Sequence, residues 1–129
     1  MKLLLDTQVF LWWFSDPEKI SKSTLNTLES PDNELFFSAA SAFEIAIKVR
    51  LRKLKLPETP SVYIQRRLSI GRINPLPIMI DHAIKVSELK NIHEDPFDRL
   101  LISQAVCEGM HLVTSDKMIL KYPIKTIAL

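Results

Sequence analysis

The chain has 129 residues, a length that suits one domain with a substantial buried core. Hydrophobic residues make up 47% and charged residues 25%, as in ordinary water-soluble domains, and no apolar run approaches the roughly 20 residues that span a bilayer. The net charge of +2 is compatible with a nucleic-acid partner but does not indicate one. We therefore expect a single domain over residues 1–129 with no membrane segment.

The single cysteine and the first residues bear on the compartment. Cys107 stands alone, which excludes an internal disulfide and a cysteine-rich zinc site. Its place in an apolar helical pattern favours a small buried core residue over a nucleophile. Asp6 interrupts the apolar run after Met1 and no small-residue cleavage site follows, so we expect no signal peptide. These features predict a reducing, cytoplasmic location.

In chain order, the first half alternates short apolar runs with helical patterns. Residues 2–5 and 34–38 contain continuous apolar runs, which are typical of buried parallel strands. Helices are predicted over residues 7–14, 16–28 and 39–54. The second of these begins at Asp16 with a proline at its first position. The third has an apolar stripe that consists of Phe43, Ile47, Leu51 and Leu54.

The second half continues the alternation. Residues 61–70 form a helical pattern that Gly71 is expected to end in the left-handed conformation. Residues 73–78 contain Pro75 and Pro77, which restricts this strand to a sheet edge. Further helices are predicted over 81–89 and from Asp95-Pro96 to Gly109, and strands over 111–114 and 125–128. The alternation predicts a three-layer α/β/α sandwich around a central, mainly parallel sheet.

Four acidic residues stand after strands or near helix starts: Asp6, Glu44, Asp98 and Asp116. Each has a purely structural interpretation. Asp6 and Asp116 are suited to capping the segments that follow them, and Asp98 to the first turn of a helix capped by Asp95. Ser41 and Glu44 have the spacing of a capping box.

Their common location favours a second interpretation. The carboxyl ends of parallel strands and the starts of the following helices share one edge of a sheet, where ligands bind. Carboxylates about 6 Å apart repel by roughly 3 kcal/mol at an effective dielectric constant of ~20, so four together require protons or a cation. Oxygen ligands select Mg²⁺ or Mn²⁺ over Zn²⁺, and one or two such ions suit phosphodiester hydrolysis.

The segments around these acids carry a family resemblance: Leu3-Leu4-Leu5-Asp6-Thr7, Ser38-Ala39-Ala40-Ser41 running into Glu44-Ile45-Ala46-Ile47-Lys48, His93-Glu94-Asp95-Pro96-Phe97-Asp98-Arg99-Leu100-Leu101, and Leu112-Val113-Thr114-Ser115-Asp116. Together they resemble the PIN-domain nucleases, in particular the VapC-like toxins of bacterial toxin–antitoxin pairs. The resemblance implies an α/β/α sandwich, a metal-dependent endoribonuclease, an RNA substrate, a cognate antitoxin and a homodimer.

The resemblance also assigns roles to residues. The acidic positions of the family match Asp6, Glu44, Asp98 and Asp116, as metal ligands and catalytic groups. Its neighbouring hydroxyl positions match Thr7 and Ser115, which would orient ligands or water. Some members carry a further acid two residues after the last aspartate, where this chain has Met118. That departure leaves the binding of a second ion open.

Basic residues offer candidate contacts with RNA. Lys48 and Arg52 belong to a basic run that follows Glu44, and they could guide an RNA backbone or form a solvated helix face. Arg99 could contact the scissile phosphate or pair with a carboxylate. His93 is expected to be an exposed or capping residue rather than a metal ligand.

An aromatic block on the first helix offers a candidate contact with a partner protein: Trp12, Trp13 and Phe14. The three side chains cannot all face the core from one helix. The remaining apolar surface is therefore a candidate partner-binding site, while the alternative is ordinary core packing.

We therefore expect an endoribonuclease that uses metal-activated water and leaves a 5′-phosphate and a 3′-hydroxyl. One alternative is a non-catalytic, partner-binding module on the same scaffold, although such a copy would be expected to have lost acids. The other is an α/β phosphotransfer domain, which needs an acceptor aspartate after a middle strand. Here the middle strands end without one, which disfavours this class.

Overall fold

A computed structural model describes residues 1–129 as five strands and six α-helices. The strands are β1 (Lys2–Leu5), β2 (Glu34–Ser38), β3 (Ile73–Leu76), β4 (His111–Thr114) and β5 (Thr126–Ala128). The helices are α1 (Thr7–Ser15), α2 (Lys22–Glu29), α3 (Ala39–Arg50), α4 (Pro60–Ile70), α5 (Ile80–Lys85) and α6 (Pro96–Glu108). Short 3-10 turns follow α1, α5 and β4. None of the helices is both long enough and apolar enough to cross a membrane.

The strands form one sheet in the order β3-β2-β1-β4-β5, and every pair is parallel. The central strand, β1, places Leu4 opposite Phe36 of β2 and Leu112 of β4. The proline-containing strand β3 lies at an edge, because proline has no amide hydrogen to donate to a neighbouring strand. The prediction of an α/β/α sandwich is confirmed, and the sheet is parallel throughout.

Each face of the sheet has its own core, because side chains alternate along β1. Leu3 and Leu5 lie on one face with Val9, Phe10 and Phe37, among a cluster of twelve buried residues. Leu4 lies on the other face, in a cluster of ten that includes Leu101, Ile102 and Leu112 of α6 and β4. The two clusters place helices on both sides of the sheet, and its carboxyl-terminal edge stays open between them.

Two predicted helices are shorter than expected. The helix predicted over residues 16–28 is broken at Ile20, which is extended and buried, and Ser21 starts α2 anew by accepting the amide of Thr24. The helix predicted to reach Leu54 ends at Arg50. Arg52 then takes a left-handed φ of 59°, which turns the chain away. The predicted stripe on α3 is also wrong, since Phe43 is 60% exposed.

The predicted ends of two other helices have opposite outcomes. Gly109 ends α6 with a φ of 66°, as expected for a left-handed cap. Gly71 was predicted to do the same after α4, but its φ is −82°. Arg72 takes the left-handed conformation instead, with a φ of 53°. A Cβ at Gly71 would lie 2.9 Å from the side chain of Ile73, so this glycine is needed for space rather than for φ.

The remaining differences concern α5 and α6. The helix predicted over residues 81–89 is confined to Ile80–Lys85 and is followed by a 3-10 turn. Cys107, predicted to be a buried core residue, is exposed. It lies two residues after the buried Ala105, about 200° further around the helix, and so it faces solvent.

Candidate active site

The four predicted acids lie around one pocket at the carboxyl-terminal edge of the sheet. The pocket has a volume of about 390 Å³, and we call it the acidic pocket. Its charged lining residues are Asp6, Glu44, Lys48, Lys53, Asp95, Asp98 and Asp116. Thr7 and Ser115, the two predicted hydroxyl residues, also line it. The convergence that the order of elements predicted is therefore present.

Asp6 lies at the end of the central strand and caps α1. Its Oδ1 accepts the amide of Gln8 at 3.4 Å, and its Oδ2 accepts the hydroxyl of Thr114 at 2.6 Å. Burial raises the pKa of Asp6 above its usual value, against the hydrogen bonds from Thr114 and Gln8, and the charges of Glu44 and Asp116 add to the increase. Asp6 is thus both a cap and a pocket residue.

Glu44 is buried and has two side-chain partners. Its Oε1 accepts the hydroxyl of Thr7 at 2.8 Å, and its Oε2 pairs with Lys48 at 2.6 Å. The hydroxyl of Ser41 lies 2.8 Å from that of Thr7. The predicted capping box is wrong. It would start the helix after Ser41, whereas α3 starts at Ala39 and is capped by Ser38, which accepts the amide of Ala40. Glu44 is free of that structural role and faces the pocket.

Asp98 lies in the first turn of α6, and Asp95 caps that helix by accepting the amides of Phe97 and Asp98. Burial raises the pKa of Asp98 to about 7, and the negative charges of Asp6 and Asp95 contribute. A carboxyl group with this pKa marks a place where negative charge is in excess and where a cation would be stabilised.

Asp116 lies two residues after the end of β4. Its Oδ1 accepts the amides of Met118 and Ile119, and its Oδ2 lies 2.9 Å from Nε2 of His93. Partial burial favours the neutral acid, but the hydrogen bonds from His93 and from these amides outweigh it and lower the pKa of Asp116. Asp116 therefore stays a carboxylate beside Asp98, whose pKa is raised.

His93 was not expected to be in this site, yet its Nε2 lies 2.9 Å from a carboxylate oxygen of Asp98 and of Asp116. Partial burial lowers its pKa, but the hydrogen bond to Asp116 and the charge of Asp98 raise it overall. The signal in the sequence was weak. His93 lies five residues before Asp98, and only the turn before the Asp95-capped helix α6 brings its ring against Asp98 and Asp116.

Two further residues were missed, and both support predicted ones. Thr114 is the last residue of β4, and its hydroxyl donates to Asp6 and accepts the amide of Asp116. Ser41 supports Thr7. Thr114 directly precedes Ser115 in the motif, so its place at the strand end was the available signal.

Of the three predicted RNA-contacting residues, only Lys48 lines the pocket. Arg52 is exposed and lies outside it, because α3 ends early, and Lys53 lines the pocket in its place. Arg99 does not form the predicted pair with a carboxylate. Its guanidinium donates instead to the hydroxyl of Tyr122 and to backbone carbonyls, among them those of Val86, Lys90 and His93.

The predicted aromatic block on α1 is half-buried. Trp12, Trp13 and Phe14 all pack against the core that contains Phe10, and Phe14 meets the Phe10 ring edge-on at 5.4 Å. Lys19 covers the outer face of Trp12. Trp13 also lines a groove of about 340 Å³ with residues from α2, β2 and α4. Core packing thus accounts for part of each ring, and a groove beside Trp13 stays open.

The donor set of the pocket fits a divalent cation. His93, Asp98 and Asp116 each place one ligand-type atom within 4.8 Å of the others. Asp6 and Glu44 add oxygen atoms to the same pocket. Carboxylate oxygens are preferred by hard cations. The pKa values of Asp6 and Asp98 are raised by burial and, to a smaller extent, by neighbouring carboxylates, and a bound cation would offset both effects.

The parallel sandwich carries an acidic pocket at the carboxyl-terminal edge of its sheet, and comparison with known proteins identifies the family. The family model described as the PIN domain matches residues 3–125, so the chain belongs to the PIN-domain family. It is 28% identical over 116 residues to Ribonuclease VapC22 of Mycobacterium tuberculosis, which covers 89% of this chain and 87% of that protein.

Further similarities extend over shorter or more divergent regions. Ribonuclease VapC16 of Mycobacterium tuberculosis is 45% identical over 51 residues, or 40% of this chain and 35% of that protein. The structure of VapBC2 from Rickettsia felis, bound to a fragment of promoter DNA, matches with a TM-score of 0.77 at 20% identity, covering 99% and 98% of the two chains. A DNA-bound VapBC structure from Salmonella typhimurium matches with a TM-score of 0.71 at 20% identity, with the same coverage.

Proposed function

We propose that this chain is a metal-dependent endoribonuclease and the toxin of a toxin–antitoxin pair. The observation that carries the proposal is the convergence of Asp6, Glu44, Asp98 and Asp116 on one pocket within a PIN domain. Two similar proteins are named ribonucleases. Both a scaffold and a chemistry suited to phosphodiester hydrolysis are therefore in place.

Asp6, Asp98 and Asp116 are proposed to bind Mg²⁺ or Mn²⁺ together with Glu44, as one ion or a pair. When bound, the cation supplies a Lewis acid that activates water and offsets the charge of the scissile phosphate. The protein residues keep the carboxylates in place. Thr114 fixes Asp6, and the amides of Met118 and Ile119 fix Asp116.

Glu44 is proposed to take a second role, which is to orient the attacking water. Thr7 holds its Oε1, and Lys48 pairs with its Oε2 at 2.6 Å. The hydrogen bond to Glu44 raises the pKa of Lys48, so this residue stays cationic at the mouth of the pocket. Lys48, together with Lys53, is then placed to attract an RNA phosphate, while Ser115 lies beside the acids.

Partner proteins are part of the proposal. One similar structure is a toxin–antitoxin complex from Klebsiella pneumoniae, and the groove beside Trp13 is proposed to receive an antitoxin segment. Apolar side chains on and before α5 are exposed, including Met79, Ile80 at 78% and Ile84. A second copy of the chain would cover them, which supports a homodimer. Light scattering on the purified chain measures its molar mass in solution and so distinguishes a monomer from a dimer.

The test compares Asp6→Asn with Asp81→Asn, an exposed acid at the start of α5. We expect purified wild type and Asp81→Asn to cleave RNA with Mg²⁺ or Mn²⁺, and to lose the activity when the metal is chelated. Asp6→Asn should fold, as judged by its melting temperature, and lose more than about 100-fold in rate. Loss of even an outer partner of a metal ligand costs 10–100-fold. Metal-dependent cleavage by Asp6→Asn at the wild-type rate contradicts the assignment.

The same proteins distinguish the non-catalytic alternative. If the acidic pocket binds a cation, millimolar Mg²⁺ or Mn²⁺ raises the melting temperature of wild type, because a ligand that binds only the folded state stabilises it. Asp6→Asn should show a smaller increase. If neither metal changes the melting temperature of wild type and wild type cleaves no RNA, the result supports the non-catalytic, partner-binding module.

A further inference from the structure

His93 contacts two of the proposed metal ligands, Asp98 and Asp116. The imidazole ring of His93 stands over the acidic pocket between α6 and the segment after β4. Its Nε2 donates to Oδ2 of Asp116 at 2.9 Å and lies 2.9 Å from Oδ2 of Asp98. These two acids belong to different elements, and no other side chain is hydrogen-bonded to Asp98 or bridges the pair.

The hydrogen bond at the other ring nitrogen, Nδ1, indicates which nitrogen of His93 carries the hydrogen. The amide of Asp95 donates to Nδ1 of His93 at 3.1 Å, so Nδ1 acts as the acceptor. A neutral imidazole whose Nδ1 accepts must carry its hydrogen on Nε2. A histidine that ligates a metal through Nε2 needs a lone pair there and usually donates through its other nitrogen. The arrangement of His93 is the reverse, so its ring is a donor to the carboxylates rather than a metal ligand.

The backbone of His93 is held as firmly as its ring. Its amide donates to the hydroxyl of the buried Tyr122 at 2.8 Å. Arg99 donates to the carbonyl of His93 at 3.2 Å and to the hydroxyl of Tyr122 at 3.2 Å. These bonds explain the position of Arg99, which was predicted either to contact the scissile phosphate or to pair with a carboxylate. They fix the loop that carries His93 to α6 on one side and to the C-terminal segment on the other.

From these contacts we propose that His93 is a positioning residue that holds Asp98 and Asp116 together for the cation. The N–H of His93 presents a positive hydrogen to two carboxylate oxygens that would otherwise repel each other. It thereby keeps both acids turned toward the same pocket before a cation arrives. The inference rests on the proposed metal-dependent function, and it adds a residue that acts through the ligands without touching the metal.

Binding of Mn²⁺ alone, followed by electron paramagnetic resonance, tests the proposal without reference to RNA cleavage. His93→Ala removes the donor, whereas His93→Gln keeps an N–H at a similar distance from the backbone. His111→Gln is the matched control, because His111 begins β4 at the opposite end from the pocket. We expect Mn²⁺ affinity to fall about 10- to 100-fold in His93→Ala and to return to within a few-fold of wild type in His93→Gln.

Activity gives a second readout that a loss of general stability would not mimic. His93→Ala should need more Mn²⁺ for half-maximal cleavage and should approach the wild-type kcat when Mn²⁺ is saturating. The bound Mn²⁺ of wild type should show no directly coordinated nitrogen in pulsed spectra. A coordinated nitrogen, equal Mn²⁺ affinity in wild type and His93→Ala, or affinity as low in His93→Gln as in His93→Ala each overturns the proposal. Failure of wild type to bind Mn²⁺ instead overturns the proposed function itself.

The metal-free wild type offers a direct check on the ring. Nitrogen NMR distinguishes the two neutral forms of imidazole, and at pH 8.5 we expect His93 to carry its hydrogen on Nε2. A hydrogen on Nδ1 overturns the bridging arrangement whatever the variants do.

Discussion

Two polar clusters lie against α6, and they differ in how many carboxylates they contain. One is the acidic pocket. The other, which we call the His82 network, consists of Ser38, His82, Ser103, Gln104 and Glu108. In the His82 network donors and acceptors alternate: Ser38 donates to Gln104, the amide of Gln104 donates to the carbonyl of Pro77, and His82 pairs with Glu108 at 2.8 Å. Every member is satisfied from within the protein.

The acidic pocket has acceptors in excess. Five carboxylates and two lysines line it, and His93 contacts two of the acids. The pKa values of Asp6 and Asp98 rise because burial and neighbouring charge penalise the ionised acids. Yet no buried side-chain polar atom in the chain lacks a hydrogen-bond partner. The difference is therefore one of charge rather than of hydrogen bonding. The His82 network contains a single carboxylate, at its exposed end, whereas the acidic pocket gathers five.

The largest effect should come from breaking the His82 network. Gln104→Leu leaves the hydroxyl of Ser38 and the carbonyl of Pro77 without their buried partners. An unsatisfied buried hydroxyl costs about 1–3 kcal/mol and the partly exposed carbonyl of Pro77 costs less, so we expect the free energy of unfolding to fall by about 3 kcal/mol in urea titrations.

Cys107→Ser is the matched control on the same helix, since Cys107 is exposed and a surface change there should stay within about 0.5 kcal/mol. If Gln104→Leu is no less stable than this control, the network does not hold the fold as we describe.

An intermediate effect of opposite sign is expected in the acidic pocket. Asp98 has an unfolded pKa near 3.8 and a folded pKa of about 7. The folded protein holds the proton more tightly, so its metal-free stability falls as the pH rises between these values, and the loss is complete above about 7. Asp98→Asn removes this dependence and should stabilise the metal-free protein by about 2 kcal/mol at pH 8, measured by urea unfolding.

The same substitution should weaken metal-dependent stabilisation and cleavage, because one proposed ligand is lost. Wild type should regain stability at pH 8 when Mn²⁺ is added, whereas Asp98→Asn should gain less. A metal-free Asp98→Asn that is less stable than wild type at pH 8 would mean that the two clusters do not differ in the way proposed.

The smallest effect concerns the charged end of the His82 network. Glu108 is 40% exposed at its side chain, and its carboxylate accepts from His82. Glu108→Gln keeps an oxygen acceptor at that position, and solvent screens the lost charge. We expect a change in unfolding free energy of less than about 1 kcal/mol. A loss as large as that of Gln104→Leu would show that this network, like the acidic pocket, depends on charge.

Much of the fold was predictable because its signals are local. The strands were recognised as apolar runs, and the caps at Asp95 and Gly109 from residues whose chemistry suits those positions. The errors fall where a local pattern met a tertiary requirement. Ile20 breaks a helical pattern to enter the core, and Gly71 is kept small by Ile73 rather than by its own φ.

The face of α3 shows the same limit. Phe43 and Leu51 extend an apolar stripe that the sequence pattern assigned to the core, but both are exposed. The helix instead turns Ser41, Glu44 and Ile45 inward, because Glu44 meets Thr7 at the pocket and Ile45 packs in the core. Periodicity alone cannot identify which of two faces is buried when one of them carries a functional acid.

The sequence by itself determined the order of strands and helices and, through the parallel sheet, the edge on which Asp6, Glu44, Asp98 and Asp116 meet. Those features follow from patterns within a few residues and from one rule of sheet geometry. Only the tertiary structure decided which cations and donors accompany the acids. Lys53 lines the acidic pocket and Arg52 does not. Arg99 holds the loop that carries His93, and His93 bridges two carboxylates. His93 and Asp116 are 23 residues apart in the chain, and the other contacts depend on where a loop turns, so no local pattern specifies them.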